Sequence, residues 1–480
     1  MKANIRWCVL FPIVMAVTLF LWFAPASVFG ELGNVITATQ QRTIAIFAFA
    51  ALMWVFEIVP NWVTSLLIIV ISLLCISSDS LSFLKNPGDG SEFIASQELM
   101  RSFADPIVML FLGGFVLAIV AAKYGIDIQL ARFLLKPFGH NPKYVLLGFL
   151  VVISTFSMFM SNTATAAMFL TFLSPVLATL PSDEKGRVGL ALSIPIAANI
   201  GGMGTPIGTP PNATAVGNLA NVGMDITFAQ WSFRMIPFVI VLILIAWIIL
   251  YSFFPFRTKK ITIEIPKKQT VTTWRDYVAW ITLVFTLVLW MTEQLHGLSS
   301  SVVALIPLVV YTTTGVFTAD DIREINWNVL WLVAGGFALG YALNDTGLAH
   351  AVVSSIDFAS MKVVIVFVVA GLICYFLSNF ISNSATAALL IPIMVTMGEG
   401  LMESSNESAF AMFGGERALA AFVAICASLA MCLPISTPPN ALAASTGMVK
   451  TTDMAKVSFL IGVIGLVLGF FWLTKFFPFV

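Results

Sequence analysis

The sequence predicts an all-α polytopic membrane protein with about eleven transmembrane helices and two re-entrant hairpins. Three observations predict this class. Of the 480 residues, 59% are hydrophobic and only 10% charged, whereas a soluble domain carries about 25% charged residues. A polar septet, Ser161-Asn162-Thr163-Ala164-Thr165-Ala166-Ala167, returns as Ser382-Asn383-Ser384-Ala385-Thr386-Ala387-Ala388 after an offset of 221 residues. Each septet is followed by a proline-rich interruption of apolar sequence, Gly208-Thr209-Pro210-Pro211-Asn212 and then Ser436-Thr437-Pro438-Pro439-Asn440.

Composition also excludes several classes. The 24 basic and 24 acidic residues cancel, so the charge balance implies no nucleic acid or acidic partner. Cys8, Cys75, Cys374, Cys426 and Cys432 are scattered through apolar segments with no metal-binding spacing, and they read as small core residues. His140, His296 and His350 lie too far apart in sequence to suggest a ligand set.

Residues 1–42 hold the first span. It follows Lys2 and Arg6 and runs from Trp7 to about Gly30. That exceeds the roughly 7–15 apolar residues of a signal-peptide core, so it is expected to be retained. Residues 43–256 form a first repeat. Span 2 covers Thr43 to Val59 and stops at Pro60; span 3 covers Trp62 to Ser77; a polar loop reaches Ala104; span 4 covers Pro106 to Ala122 with Gly113-Gly114 at its centre. A basic piece with Lys123, Arg132, Lys136 and Lys143 follows.

Residues 144–181 carry the first septet between two short apolar arms. Two full spans would put the septet outside the membrane. A re-entrant hairpin would put it at membrane depth, where irregular backbone is tolerated if it lines a cavity, and the hairpin is the favoured reading. Residues 188–220 read as one span broken into two half-helices, because dense proline and glycine stop a continuous helix. Span 6 runs from Met235 to Phe254.

Residues 257–275 are a basic linker with Arg257, Lys259, Lys260, Lys267, Lys268 and Arg275. Residues 276–480 then repeat the order. Trp290-Met291-Thr292-Glu293 echoes Trp54-Val55-Phe56-Glu57, and Gly335-Gly336-Phe337 echoes Gly113-Gly114-Phe115. A second hairpin spans about 362–398, a second broken helix about 417–449, and a closing span runs from Val457 to Phe477. Landmarks in one order at nearly constant offset are a repeat signature. Lysine and arginine place the N-terminus and the basic linker in the cytoplasm and the C-terminus outside. Counting crossings then makes the two repeats inverted, the arrangement of secondary transporters with a site at the repeat interface.

The chemistry expected there is unusual. No Lys, Arg, Asp, Glu or His occurs between Tyr144 and Ser182, between Val188 and Val222, or between Ala418 and Val449. The site must therefore use hydroxyls, Asn amides, freed carbonyls and half-helix N-termini. Oxygen ligands suit a small hard cation, and helix N-termini suit an anion. A dianion without Arg or Lys is poorly neutralised in a low dielectric, so cations arriving with it would remove much of that cost. Ser157 and Ser378, one helical turn before each septet, either bond their own helix carbonyls or act as ligands. Glu57 and Glu293, near span ends, read as capping or pairing groups, and the Gly pairs as points of close helix approach.

These motifs, with Trp54-Val55-Phe56-Glu57-Ile58-Val59-Pro60 and Phe111-Leu112-Gly113-Gly114-Phe115, resemble the divalent anion/sodium symporter family over nearly the whole chain. The resemblance implies a homodimer, elevator-type movement and sodium-driven import of a C4-dicarboxylate such as succinate, fumarate or malate, through the plasma (inner) membrane. It implies one sodium site at Ser157, Ser161, Asn162 and the Gly208 carbonyl, and a second at Ser378, Ser382, Asn383 and the Ser436 carbonyl. Substrate carboxylates would meet Asn162, Thr163, Thr209, Asn383, Ser384, Thr437 and Pro438. Ser384 departs from the Thr usual in dicarboxylate-type members, which leaves citrate and sulfate open. A sodium-independent dicarboxylate exchanger on the same fold is the alternative; a channel is a further reading, against which inverted broken helices favour alternating access. No H-E-x-x-H and no paired intramembrane carboxylates point to an enzyme.

Overall fold

The computed structural model describes residues 6–30, 32–34, 36–85, 88–178, 180–261, 273–357 and 360–479. Lys2, Lys267 and Lys268, expected to mark cytoplasmic segments, lie outside the described residues. A first helix, α1 (Phe11–Phe23), precedes α2 (Ala38–Phe56), α3 (Asn61–Cys75), α4 (Pro106–Tyr124), α5 (Ile126–Leu135), α6 (Pro142–Ser157), α7 (Asn162–Ala178), α8 (Gly186–Gly202), α9 (Pro210–Asn221) and α10 (Phe228–Phe253). Then come α11 (Trp274–Met291), α12 (Ser300–Thr313), α13 (Trp327–Asp345), α14 (Leu348–Ser355), α15 (Val363–Phe380), α16 (Asn383–Met402), α17 (Gly415–Leu429), α18 (Pro438–Ser445) and α19 (Thr451–Phe471). From α2 to α10 and from α11 to α19 these helices follow one order, apart from short helices at Ser96–Arg101 in the first series and at Glu293–His296 and Glu407–Met412 in the second.

Local chemistry sets most boundaries. Thr37 with Gln40, and Thr227 with Gln230, form capping boxes at the starts of α2 and α10. The second box starts α10 seven residues before the expected Met235. The first span is shorter than expected: a π turn (Arg6–Leu10) precedes α1, and extended backbone at Ala24 and Pro25 ends it. Helix α4 ends directly on Gly125 (φ 67°), and α13 ends on Thr346 with Gly347 (φ 71°) next; at both glycines left-handed backbone favours that residue.

Six helical stretches among the described residues are long and apolar enough to cross a membrane. Helix α11 turns Tyr277, Ile281, Phe285 and Val288 outward, an apolar face of the kind lipid covers. Cys374 and Cys426 are buried core residues, but Cys8 is exposed, because it sits at the start of the outward-facing apolar surface of α1. The hairpin arms α6 and α7 have 16 and 17 residues. At 1.5 Å per residue each reaches about 24–26 Å, short of a hydrocarbon core of about 30 Å.

The two halves of the chain interlock. Helix α3 packs on α13, and α12 packs on α4. Both contacts depend on the paired glycines: a Cβ on Gly335 would lie 2.4 Å from Ser65 Cβ, and one on Gly113 would lie 2.2 Å from the Ala304 carbonyl oxygen. Helix α9 packs against α16 and α17, and reciprocally α18 packs against α7 and α8.

Direction can be read from the two ends. Asp105, which caps α4, accepts from Tyr341 Oη near the end of α13 at 2.8 Å. Lys123, in the last turn of α4, pairs at 2.6 Å with Asp321, shortly before α13 begins. Helices α4 and α13 therefore run in opposite directions. So do α10 and α19, since Trp472 after α19 donates to the Arg234 carbonyl in the first turns of α10 at 2.8 Å. One end of the molecule gathers Lys123, Lys143, Arg257 and Arg275, with Asp321 and Glu184 among them; the other gathers Glu98, Asp105, Asp225, Glu293 and Asp345, with Arg101, around a second cavity.

Candidate functional site

Both septets and both proline breaks open onto one cavity of about 480 Å³. Ser161, Asn162, Thr163, Gly208, Thr209, Ser382, Asn383, Ser384, Ser436, Thr437 and Pro438 all line it. Ser157 and Ser378 lie just behind, fully buried. None of the lining residues is Lys, Arg, Asp, Glu or His. Four helices begin there: α7 after Ser161, α16 after Ser382, α9 after Thr209 and α18 after Thr437. Helices α7 and α16 offer free N–H groups at their first positions, whereas α9 and α18 start on Pro210-Pro211 and Pro438-Pro439, which carry none, and add only the partial positive charge of a helix start. Both properties favour an anion.

The breaks are shaped by close backbone approach. A Cβ on Gly202 would lie 2.5 Å from Asn162 Oδ1, and one on Gly208 would lie 2.4 Å from the Gly202 carbonyl oxygen. Each break is laced by one asparagine. Asn212 Nδ2 donates to the Gly202 and Thr205 carbonyls at 3.0 and 2.8 Å. Asn440 Nδ2 donates to the Met431 and Leu433 carbonyls at 2.7 and 3.0 Å. The freed carbonyls are thus held in place rather than left to close a helical turn.

Behind each tip lies a small oxygen cluster. Around the amide of Asn162 are Ser157 Oγ at 2.7 Å, the Ala198 carbonyl at 3.1 Å and the Gly208 carbonyl at 3.1 Å. With its nitrogen turned inward, Asn162 Nδ2 lies within hydrogen-bond reach of all three and shares its two hydrogens among them. With its oxygen inward, four oxygens converge, an arrangement that a hard cation stabilises and that is repulsive without one. In the second half, Ser378 Oγ lies 3.0 Å from Asn383 Oδ1 and 3.2 Å from the Ala427 carbonyl. The Ser436 hydroxyl donates to the carbonyl of Asn379, the residue after Ser378, at 2.8 Å. Ser157 and Ser378 therefore point across to the neighbouring broken helix and not into their own helices. Their donor sets fit sodium.

Several residues at the site had no distinguishing mark in the sequence. Ala198 and Ala427 contribute only backbone. Asn199 reaches across to the second half of the chain, its Nδ2 donating to Thr437 Oγ1 at 3.1 Å and to Asn440 Oδ1 at 3.2 Å. Asn61, Asn326 and Asn328 form a further polar wall of the cavity. The only sequence signal for Asn61 was an amide at the head of an apolar span. Glu57 ends α2 in left-handed backbone (φ 45°), and Glu293 heads a short helical turn before α12; neither lines this cavity.

The chain matches the citrate transporter family over residues 51–415. An uncharacterized transporter of Haemophilus influenzae is 32% identical over 456 residues, covering 90% of this chain and 91% of that protein. The sodium-dependent dicarboxylate transporter SdcS of Staphylococcus saprophyticus is 27% identical over 461 residues, covering 88% of this chain and 83% of its own length. Sodium-dependent high-affinity dicarboxylate transporter 3 of Caenorhabditis elegans is 26% identical over 489 residues, covering 88% and 81%.

Proposed function

The chain belongs to the divalent anion/sodium symporter family, and on that premise we propose that it imports a small dianion, a C4-dicarboxylate such as succinate, fumarate or malate, coupled to sodium. It is a membrane transporter and not an enzyme. The observation that carries the substrate reading is the single charge-free cavity into which both septets and both breaks open.

Four helix N-termini and the Asn162, Thr163, Thr209, Asn383, Ser384 and Thr437 side chains meet the two carboxylates, with Pro438 against the carbon chain. The oxygen clusters around Asn162 and Asn383 take sodium, supplying the positive charge that the side chains lack. Each asparagine serves both partners, so anion and cation stabilise each other across one amide.

The opposite directions of α4 and α13, and of α10 and α19, support inverted-topology repeats. The short arms of α6 and α7 support a re-entrant first hairpin; α15 and α16 of the second, with 18 and 20 residues, are each long and apolar enough to cross a membrane. The basic end is assigned to the cytoplasm and the acidic end to the outside of the plasma membrane. Pro60, Asn61, Trp62, Asn326 and Asn328 wall the cavity; they begin α3 and α13 at the basic end, so this arrangement presents the site toward the cytoplasm. A homodimer moving by an elevator step rests on the family resemblance.

One observation favours a second reading, sodium-independent dicarboxylate exchange. With its nitrogen inward, Asn162 shares its two hydrogens among its three oxygen neighbours without a cation. Uptake of labelled succinate into proteoliposomes, with sodium replaced by choline, separates the two. Symport requires uptake to collapse in choline; unchanged uptake refutes it. Competition by citrate, 2-oxoglutarate and sulfate in the same assay identifies the anion, and Ser384, one methyl smaller than Thr163, leaves room for a bulkier one.

A further inference from the structure

We propose that Asn61 is a latch on the second cation half-site: its amide holds the hydroxyl oxygen of Ser382, and sodium takes that oxygen only when Asn61 releases it. The inference rests on the sodium-coupled reading above and concerns a residue outside the motifs named above, directly after Pro60.

Asn61 is the first residue of α3, and its backbone is fixed. Pro60 precedes it, and its carbonyl accepts from Trp54 Nε1 at 3.3 Å and from Ser65 Oγ at 3.2 Å. From this fixed point Asn61 Nδ2 donates to Ser382 Oγ at 3.0 Å, across 321 residues of sequence. Ser382 Oγ also accepts from the Ala385 N–H at 3.2 Å, as the N-cap of α16. A hydroxyl oxygen has two lone pairs. Both are engaged, so a cation ligated by Ser382 must displace one donor. The cap is part of the helix, so Asn61 is the donor that leaves.

The first half-site differs. Ser161 Oγ accepts from the Ala164 N–H at 3.2 Å, and among the described residues no side chain donates to it. The residue corresponding to Asn61 in the second repeat is Ser300, first in α12, whose carbonyl accepts from Trp290 Nε1 at 2.9 Å. Ser300 lines the acidic cavity instead. The latch therefore acts on the second hairpin alone. Asn61 Oδ1 is buried without a hydrogen-bond partner, so the docked amide is only half satisfied and the contact is readily given up.

Filling the second half-site and freeing the second hairpin from α3 are thus one event. The test uses purified full-length protein without substrate, titrated with sodium chloride against choline chloride at constant ionic strength, reading the thermal unfolding midpoint. Removing one competing hydrogen bond should lower the half-maximal sodium concentration about 2- to 10-fold in Asn61→Ala. Asn61→Ser, polar but too short to reach Ser382, should show the same shift and serves where the alanine variant folds poorly. An unchanged or raised half-maximal concentration in a folded variant, with the unsubstituted protein still responding to sodium, overturns the latch alone. No sodium response in the unsubstituted protein overturns sodium coupling and the latch with it.

Discussion

Ser157 Oγ lies 2.7 Å from Asn162 Oδ1, so the last residue of α6 holds the first residue of α7 across the gap in the hairpin. Ser378 and Asn383 repeat the relationship at 3.0 Å. Each asparagine faces the cavity and the oxygen cluster behind it at once.

Asn162→Ala and Asn383→Ala should therefore each abolish uptake, because each removes an anion donor and a cation ligand together. Both proteins should remain folded, since the amide heads a helix and does not fill the core. Uptake assays paired with size-exclusion profiles check this. A well-expressed double variant with normal uptake refutes the assignment.

Gly335→Ala should destabilise the protein by roughly 1–3 kcal/mol, the usual cost of overpacking. The new methyl would lie 2.4 Å from Ser65 Cβ. Adding Ser65→Gly should recover part of the loss. Gly113→Ala should not be rescued by Ala304→Gly, because its nearest neighbour is the Ala304 carbonyl oxygen, which remains. Thermal midpoints of the single and double variants distinguish the two cases.

Acid should weaken the link between α4 and the start of α13. Burial of Asp321 opposes its ionisation, but hydrogen bonds from Lys123 and Thr318 outweigh burial and hold its carboxyl below the ordinary value of 3.8. A depressed carboxyl stabilises the fold above its unfolded-state value, and that contribution is lost as pH falls through the folded-state value. The Lys123 end is partly exposed, so Asp321→Asn should cost about 1 kcal/mol at neutral pH. The difference in thermal midpoint between the two proteins should hold steady above about pH 5 and vanish as pH drops below the ordinary carboxyl range. A difference independent of pH would show that packing, not charge, is lost.

Much of the site was legible in sequence because its signals are local. Proline and glycine at 204–211 interrupt a helix wherever they occur, and in both halves a septet is followed by such a break, Thr209 lying 48 residues after Ser161 and Thr437 lying 55 after Ser382. The prediction that Ser157 and Ser378 serve either their own helices or a site could not be narrowed. A serine one turn from a helix end reaches both, and the packing of α6 on α8 and of α15 on α17 brings Ala198 and Ala427 within range.

By itself the sequence determined the membrane class, the paired breaks, the absence of charge around them and the order of elements in each half, since composition and short-range backbone chemistry dictate these. Only the tertiary structure decided that Asn199 bridges to Thr437 and Asn440, that Ser65 faces Gly335, and that Asn61 holds Ser382. Those partners lie 238, 241, 270 and 321 residues apart. They meet because helices of the first half of the chain pack against those of the second, and an asparagine at the head of an apolar helix carries no local mark of the hydroxyl it will find.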